Sequence, residues 1–141
     1  MGQLVKDVMS SNIITVPFYA AVDVAVDLML NNNVSGVPVV DDQNQLKGLI
    51  TEYDVLQLHW TCTQSTSCES CEEFMTREVK TVQASATLAV AARIFHAASL
   101  RRLLVLEGKQ LVGVLSRRDV LRSIRDKRSQ LAEASGTGQA G

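Results

Sequence analysis

The chain has 141 residues, of which 46% are hydrophobic and 21% charged, and its formal net charge is -1. This apolar content can bury a core without disulfides or metal, and the charge is not that of a nucleic-acid-binding protein. No apolar run reaches the roughly 18 residues of a membrane span, and the N-terminus lacks the apolar stretch of a secretory signal. Because the number of cysteines is odd, at three, we expect a reducing compartment and therefore a cytoplasmic protein.

The first half of the chain predicts one strand–helix–strand–strand–helix unit. A short strand, "ITV", is followed by "AAVDVAVDLMLNN", in which Asp23, Asp27 and Asn31 recur every four residues, as on the wet stripe of a helix. The apolar, β-branched segments "GVPVV" and "LKGLI" predict two strands joined by the turn residues "DDQNQ". A second helix is predicted to begin at Thr51.

The second half repeats this pattern in the same order. "LKGLITEYDVL" returns as "LVGVLSRRDVL", "DVMSSNIITV" returns as "EFMTREVKTV", and "TLAVAARIFHAA" stands where the first helix stood. Met9 thereby corresponds to Met75, and Gly48 to Gly113. We therefore predict an α/β (α+β) fold of two β-α-β-β-α repeats packed as a pseudo-twofold pair. The predicted division is residues 1–58 for the first repeat, 59–70 for a connector, 71–126 for the second repeat and 127–141 for a polar flexible tail.

Each repeat places a hydroxyl residue three positions before an aspartate, at the start of its last helix. The pairs are Thr51 with Asp54 and Ser116 with Asp119. This spacing is that of a capping box, which stabilises a helix by about 1 kcal/mol and needs no ligand. The same geometry offers a phosphate the free N–H groups of the helix start, and offers the vicinal hydroxyls of a ribose a carboxylate. The residues alone leave both interpretations open, and the two can coexist.

Two β-α-β-β-α copies that carry the pattern h-h-G-h-h-[ST]-x-x-D resemble a tandem pair of cystathionine β-synthase (CBS) domains, a Bateman module. The resemblance covers roughly Val5 to Ile124. It implies a stand-alone regulatory module that binds an adenosine-type ligand (AMP, ADP, ATP or S-adenosylmethionine) and modulates a partner protein. It also implies a homodimer. From the composition and charge we expect no required cofactor, no nucleic-acid partner and no membrane partner. The sequence contains no P-loop, no G-x-G-x-x-G and no nucleophile–base pair, so we do not expect an enzyme.

The resemblance implies that Asp119 binds the ribose hydroxyls of one site, with Ser116 beside the phosphate or ribose. Arg101 and Arg102, at the start of the preceding strand, would reach the phosphate. If the family's arrangement across the two copies holds, this site would borrow three residues from the first repeat, namely Ile13, Ile14 and Ser35.

The second implied site contains Asp54 with Thr51 and would borrow Val79 and Lys80 from the second repeat. Its surroundings are acidic, because Glu52 lies two residues before the aspartate in sequence. We therefore expect a phosphate-bearing nucleotide to bind mainly at the Asp119 site.

The stretch "HWTCTQSTSCESC" at residues 59–71, which spans the connector and the first residue of the second repeat, contains all three cysteines and admits three interpretations. Its spacing would supply a Cys3His zinc site through His59, Cys62, Cys68 and Cys71. The pair Cys68 and Cys71 could instead act in a redox switch, which would make the chain a metal- or redox-sensing interaction protein. Neighbouring glutamates disfavour a thiolate, and the Ser/Thr/Gln content is typical of a connector. These features favour ordinary thiols, whose replacement by serine would leave the fold nearly unchanged.

Overall fold

A computed structural model describes residues 3–61 and 69–135, of which residues 59–61, 134 and 135 are described for their backbone alone. No helix within these ranges is both long and apolar enough to cross a membrane. The elements follow in the order α1 (Val5–Val8), β1 (Val16–Pro17), α2 (Val22–Asn32), β2 (Gly36–Val40), β3 (Leu46–Thr51), α3 (Glu52–Thr61), α4 (Cys71–Phe74), β4 (Thr81–Gln83), α5 (Leu88–Ala98), β5 (Arg102–Glu107), β6 (Gln110–Ser116) and α6 (Arg117–Ser135).

The strands form two three-stranded sheets with the orders β1-β2-β3 and β4-β5-β6. β1 is parallel to β2 and β4 is parallel to β5, with Val16 opposite Val39 and Thr81 opposite Leu104. A parallel pair needs a crossover connection, which α2 supplies in the first repeat and α5 in the second. The predicted β-α-β-β-α order of both repeats is confirmed.

The crossover helices α2 and α5 end in the same way. Each is followed by a residue in the left-handed region, Asn33 with φ 52° and Ser99 with φ 53°. These two residues are equivalent in the repeat, and such a residue commonly terminates a helix by bonding the last carbonyls. α2 buries Val22, Ala25 and Met29 at spacings of three and four, which is the predicted amphipathic pattern.

The described chain forms two compact units, and each unit is built from segments that are not continuous in sequence. We call them the first-repeat unit and the second-repeat unit after the repeat that supplies the sheet. The first-repeat unit comprises the described residues of Asn12–Lys80 and Glu107–Leu111, and the second-repeat unit comprises those up to Ser11, Thr81–Leu106 and those from Val112 onward.

The segments at the start of the two repeats, which carry α1 and α4, are exchanged between the units. The Val5 N–H donates to the Ala86 carbonyl at 2.8 Å, so α1 belongs to the second-repeat unit. The Cys71 N–H donates to the Ala20 carbonyl at the same distance of 2.8 Å, so α4 belongs to the first-repeat unit. The sequence predicts neither of these one-turn helices, because four residues are too few to display a helical period.

Each unit has its own apolar core. The side chains of both cores are almost all aliphatic, with Met29, Cys71 and Met75 in the first core and Phe95 in the second. The fully or nearly buried side chains of the first-repeat unit are Val16, Val22, Ala25, Met29, Val37, Val39, Ile50, Leu58, Cys71 and Met75. Those of the second-repeat unit are Val5, Val82, Ala84, Ala91, Phe95, Leu103, Val105, Leu115 and Val120.

The last helix is longer than the sequence pattern predicts. α6 continues through Ser135, into the segment 127–141 that we predict as a flexible tail. Leu131, Ala132 and Glu133 are strong helix formers, so helical propensity carries the backbone beyond the last buried residue, Val120. Residues 127–135 are therefore helical, whereas the sequence predicts a flexible tail there, and the described chain ends at Ser135.

Candidate functional site

The corner between β6 and α6 holds the predicted Ser116 and Asp119 in a reciprocal capping box. The Ser116 N–H donates to Asp119 Oδ2 at 2.8 Å, and the Asp119 N–H donates to Ser116 Oγ at 3.1 Å. This arrangement orients the carboxylate at the N-terminus of α6, where the backbone N–H groups and the helix dipole favour an anion. The Asp119 side chain is 19% exposed, so solvent reaches it.

Arginines surround this corner. Arg122, one turn further along α6, forms a salt bridge with Asp119, with Nη1 3.2 Å from Oδ1. The Arg117 N–H donates to the Arg101 carbonyl at 3.0 Å, which fixes the beginning of β5 beside the helix start. The side chains of Arg101 and Arg102 are exposed. Sequence reasoning missed Arg122 as a site residue, although its i+3 spacing from Asp119 is the signal for such a pair.

The equivalent corner between β3 and α3 has the same local geometry. The Thr51 N–H donates to Asp54 Oδ2 at 2.9 Å, and the Thr51 hydroxyl donates to the same oxygen at 3.0 Å. The Asp54 N–H donates to Thr51 Oγ1 at 3.2 Å. The Glu52 N–H donates to the Ser35 carbonyl at 3.0 Å, which matches the bond between Arg117 and Arg101 in the other unit.

The Asp54 carboxylate has an additional partner from the segment after α4. The Thr76 hydroxyl lies 3.1 Å from each of the two carboxylate oxygens, to which it donates. Thr76 reaches this position because its backbone pairs with Leu49 of β3 in both directions, at 2.8 and 2.9 Å. Sequence reasoning missed Thr76, and the only signal was that both repeats have a hydroxyl residue directly after the equivalent methionine.

The remaining predicted ligand residues all belong to the first-repeat unit. Ile13, Ile14 and Val79 are half-buried, and Ile14 packs against the core, while Ser35 and Lys80 are exposed. The assignment of Ile13, Ile14 and Ser35 to the Asp119 site, and of Val79 and Lys80 to the Asp54 site, stays a prediction.

A glycine in each final strand allows a methionine to pack over the strand. A Cβ atom added to Gly113 would lie 2.6 Å from Met9 Sδ, and one added to Gly48 would lie 2.7 Å from Met75 Sδ. Both distances are shorter than real Cβ contacts, so the close approach requires glycine. The glycine of the repeated pattern therefore leaves room for a segment to pack closely over the strand. This segment carries Thr76 in the first-repeat unit and Ser10 in the second-repeat unit.

The two units differ strongly in charge. The second-repeat unit contains ten Lys or Arg and four Asp or Glu, a net charge of +6. The first-repeat unit contains four basic and eleven acidic residues, a net charge of -7. The overall charge of -1 hides this asymmetry, which gives the Asp119 corner a field that favours anions and the Asp54 corner one that disfavours them.

The thiol of Cys71 is a core side chain. It is fully buried in the first-repeat unit and lies 3.7 Å from the Ala21 carbonyl, to which it donates. Burial raises the pKa of this thiol to about 11, because the thiolate would lose its hydration. Cys71 is also the repeat equivalent of Val5, which is fully buried in the other unit. The residue therefore behaves as a small hydrophobe, and its burial argues against the expectation that joint replacement of the three cysteines by serine leaves the fold nearly unchanged.

The zinc and redox hypotheses for the connector concern residues outside the described part of the chain. Cys62 and Cys68 lie there, and the side chain of His59 is not described. Within the described side chains no three His, Cys, Asp or Glu residues are grouped as metal ligands. The burial of Cys71, the fourth residue of the proposed set, disfavours the thiolate that both hypotheses require.

The comparison with known proteins detects both repeats of the chain. The family model of the CBS domain matches residues 5–60 and again residues 71–126. The uncharacterized protein MJ1225 of Methanocaldococcus jannaschii is 33% identical over 122 residues, which are 86% of this chain but only 43% of that protein. This chain therefore spans less than half the length of that relative.

Two solved structures resemble the chain along most of its length. The crystal structure of CBSX2 from Arabidopsis thaliana in complex with AMP has a TM-score of 0.77 and 31% identity, covering 90% of this chain and 99% of that one. The CBS domain pair of MJ0100, in complex with 5′-methylthioadenosine and S-adenosyl-L-methionine, has a TM-score of 0.69 and 25% identity, covering 85% and 98%. With two family matches that together cover most of its residues, the chain belongs to the CBS domain family as a tandem pair.

Proposed function

We propose that this chain is a regulatory module that binds an adenosine nucleotide or S-adenosylmethionine and transmits the binding to a partner protein, without being an enzyme itself. The observation that carries the proposal is the capping box of Asp119 and Ser116, which holds a partly exposed carboxylate at a helix start. A carboxylate at such a position can accept two hydrogen bonds from vicinal ribose hydroxyls. The AMP and S-adenosylmethionine complexes of CBSX2 and MJ0100 support an adenosine-type ligand.

In this proposal the phosphate of AMP, ADP or ATP binds at the Asp119 corner. The helix start and the guanidinium groups of Arg101 and Arg102 provide charge-assisted donors there. Arg122 competes with ribose for Asp119, and its exposed side chain, 57% accessible, can turn away at little cost. The Asp54 corner, with a net-acidic unit around it, suits a neutral or cationic adenosine such as S-adenosylmethionine better.

The module is proposed to act as a homodimer in the cytoplasm. Large apolar side chains are exposed on all four long helices, among them Leu30 on α2, Leu56 on α3, Val90 on α5 and Leu121 on α6. Such repeated apolar exposure on helices marks a surface that a partner covers.

A ligand screen by thermal shift, followed by titration calorimetry, tests the proposal. AMP, ADP, ATP and S-adenosylmethionine are compared with inorganic phosphate and with guanosine monophosphate as controls. A ligand at a hundred times its dissociation constant stabilises the fold by about 2.7 kcal/mol, a shift of several degrees. An adenosine ligand should give this shift, whereas the controls should not. If no adenosine compound shifts the unfolding temperature at millimolar concentration, the proposed function is wrong.

A further inference from the structure

Much of the acceptor capacity of the Asp54 carboxylate is occupied by the protein itself. An ionised carboxylate offers about four lone-pair sites, roughly two on each oxygen. Oδ2 accepts from the Thr51 N–H at 2.9 Å and from the Thr51 hydroxyl at 3.0 Å. The single hydroxyl proton of Thr76 is shared between Oδ1 and Oδ2, with the hydroxyl oxygen 3.1 Å from each. The acceptor sites that remain are therefore on Oδ1, which Thr76 already contacts.

The two threonine hydroxyls differ in how firmly they are held. The Thr51 hydroxyl also accepts from the Asp54 N–H at 3.2 Å, so it belongs to the capping box that begins α3. The Thr76 side chain is exposed, and within the described part of the chain its hydroxyl bonds to Asp54 alone. A ligand that needs this carboxylate therefore displaces Thr76 and leaves Thr51 in place.

The backbone of Thr76 is fixed although its side chain is exposed. Its N–H and its carbonyl pair with Leu49 of β3 at 2.8 and 2.9 Å. A Cβ atom added to Gly48 would lie 2.7 Å from the Thr76 carbonyl oxygen, which shows how closely the segment packs over the strand. The hydroxyl is thus brought to the carboxylate by a fixed backbone, and it withdraws by rotation about χ1.

We propose that the Thr76 hydroxyl is an internal competitor for ligands of the Asp54 corner. The proposal rests on the proposed function and specifies what a ligand displaces there. Two vicinal ribose hydroxyls both need acceptor sites on this carboxylate, and rotation of Thr76 frees these sites. The bond to Thr76 has a charged acceptor but is exposed to water, so it lowers the affinity of an adenosine ligand at this corner about fivefold. Binding also removes a side-chain link between the segment after α4 and the start of α3.

Two substitutions that differ by one oxygen atom test the competition. Thr76→Ala removes the hydroxyl and leaves space for the ligand, whereas Thr76→Ser keeps the hydroxyl. Both are placed in an Asp119→Ala background, so that titration calorimetry with the uncharged 5′-methylthioadenosine measures the Asp54 corner. This compound should bind about fivefold more tightly to Thr76→Ala than to Thr76→Ser, which should match the parent. Equal affinities would overturn the proposal, and weaker binding to Thr76→Ala would make the hydroxyl a ligand contact instead.

The side-chain rotamer of Thr76 tests the competition without reference to affinity. Three-bond couplings in nuclear magnetic resonance should show one χ1 rotamer in the ligand-free protein and a different one with saturating 5′-methylthioadenosine. Averaged couplings in the free protein, or an unchanged rotamer in the bound one, would refute the competition.

Titration of the wild-type chain with AMP separates this proposal from the proposed function. AMP binding together with either of these rotamer results would leave the proposed function intact and show that the competition alone is wrong. If no adenosine compound binds at either corner, the proposed function fails and the competition fails with it.

Discussion

The Thr76 hydroxyl donates to the carboxylate of Asp54, at 3.1 Å from each oxygen, and so joins the segment after α4 to the start of α3. The two residues are far apart in sequence but belong to the same unit, because the exchanged segment pairs with β3 through Leu49. The carboxylate that the family resemblance assigns to ribose therefore already has a structural role in the first-repeat unit.

This contact predicts an energetic coupling between the two residues. In a double-mutant cycle of Asp54→Ala and Thr76→Val, we expect a coupling free energy of about 1 kcal/mol in urea unfolding, since the bond involves a charged acceptor but is partly exposed. Thr76→Ser keeps the hydroxyl and should retain most of this energy. Strict additivity of the two substitutions would show that the bond contributes nothing to stability.

The charge asymmetry predicts a ranking of the two corners for nucleotides. Asp119→Ala should weaken AMP binding tenfold or more, about 1.4 kcal/mol, because it removes the acceptor for the ribose hydroxyls from the corner that suits phosphate. Asp54→Ala should have much less effect on AMP. Titration calorimetry on both variants measures the difference, with circular dichroism as the check that each variant is folded. Loss of AMP binding in Asp54→Ala, with binding intact in Asp119→Ala, would reverse the ranking.

The elements of the fold follow from local patterns that the sequence displays. The recurrence of Asp23, Asp27 and Asn31 every four residues predicts α2, and the repetition of the pattern predicts α5 and the strands of the second repeat. The helix starts at Thr51 and Ser116 are correct to within one residue, because the capping pairs are written directly in the sequence.

The exchange of segments could not be predicted in the same way. Val5 and Cys71 are equivalent, and each is small, apolar and followed by the same pattern, so either could complete either unit. Only the backbone hydrogen bonds to Ala86 and Ala20 decide which unit each joins. The role of Thr76 was missed for this reason, since its contact with Asp54 exists only if the segment joins the first-repeat unit.

The close approach of methionine to glycine predicts intolerance of any side chain at Gly113. Gly113→Ala should lower the free energy of unfolding by about 1–3 kcal/mol, because its Cβ would overlap Met9 Sδ and the Ser10 carbonyl. Chemical denaturation measures the loss. Gly108, at φ 65° with no atom within 4 Å of an added Cβ, is the comparison site, where alanine is strained by the backbone alone. Combining Gly113→Ala with Met9→Ala should recover part of the loss, and a fully additive result would exclude the overlap with Met9 Sδ as its cause.

The buried thiol of Cys71 predicts a loss of stability at high pH. Its pKa is about 11 in the folded protein, against 9.0 for the exposed group. Because the folded state binds this proton more tightly, the stabilisation is fully present below pH 9 and is lost as the pH rises towards 11. At pH 10.5 the wild-type chain should therefore have lost about 1–2 kcal/mol relative to its value at pH 8 from this group alone.

The variant Cys71→Val isolates this contribution, because it places the residue of the equivalent position, Val5, in the same core site and removes the ionisation. Urea unfolding of both proteins at pH 8 and pH 10.5 cancels the titration of all other groups, including Cys62 and Cys68, which both proteins retain. Between pH 8 and pH 10.5 the free energy of unfolding should therefore fall further in the wild type than in the variant. A difference that is the same at both pH values, or rapid reaction of the Cys71 thiol with a thiol reagent in the native protein at pH 8, would show that the side chain is not buried as described.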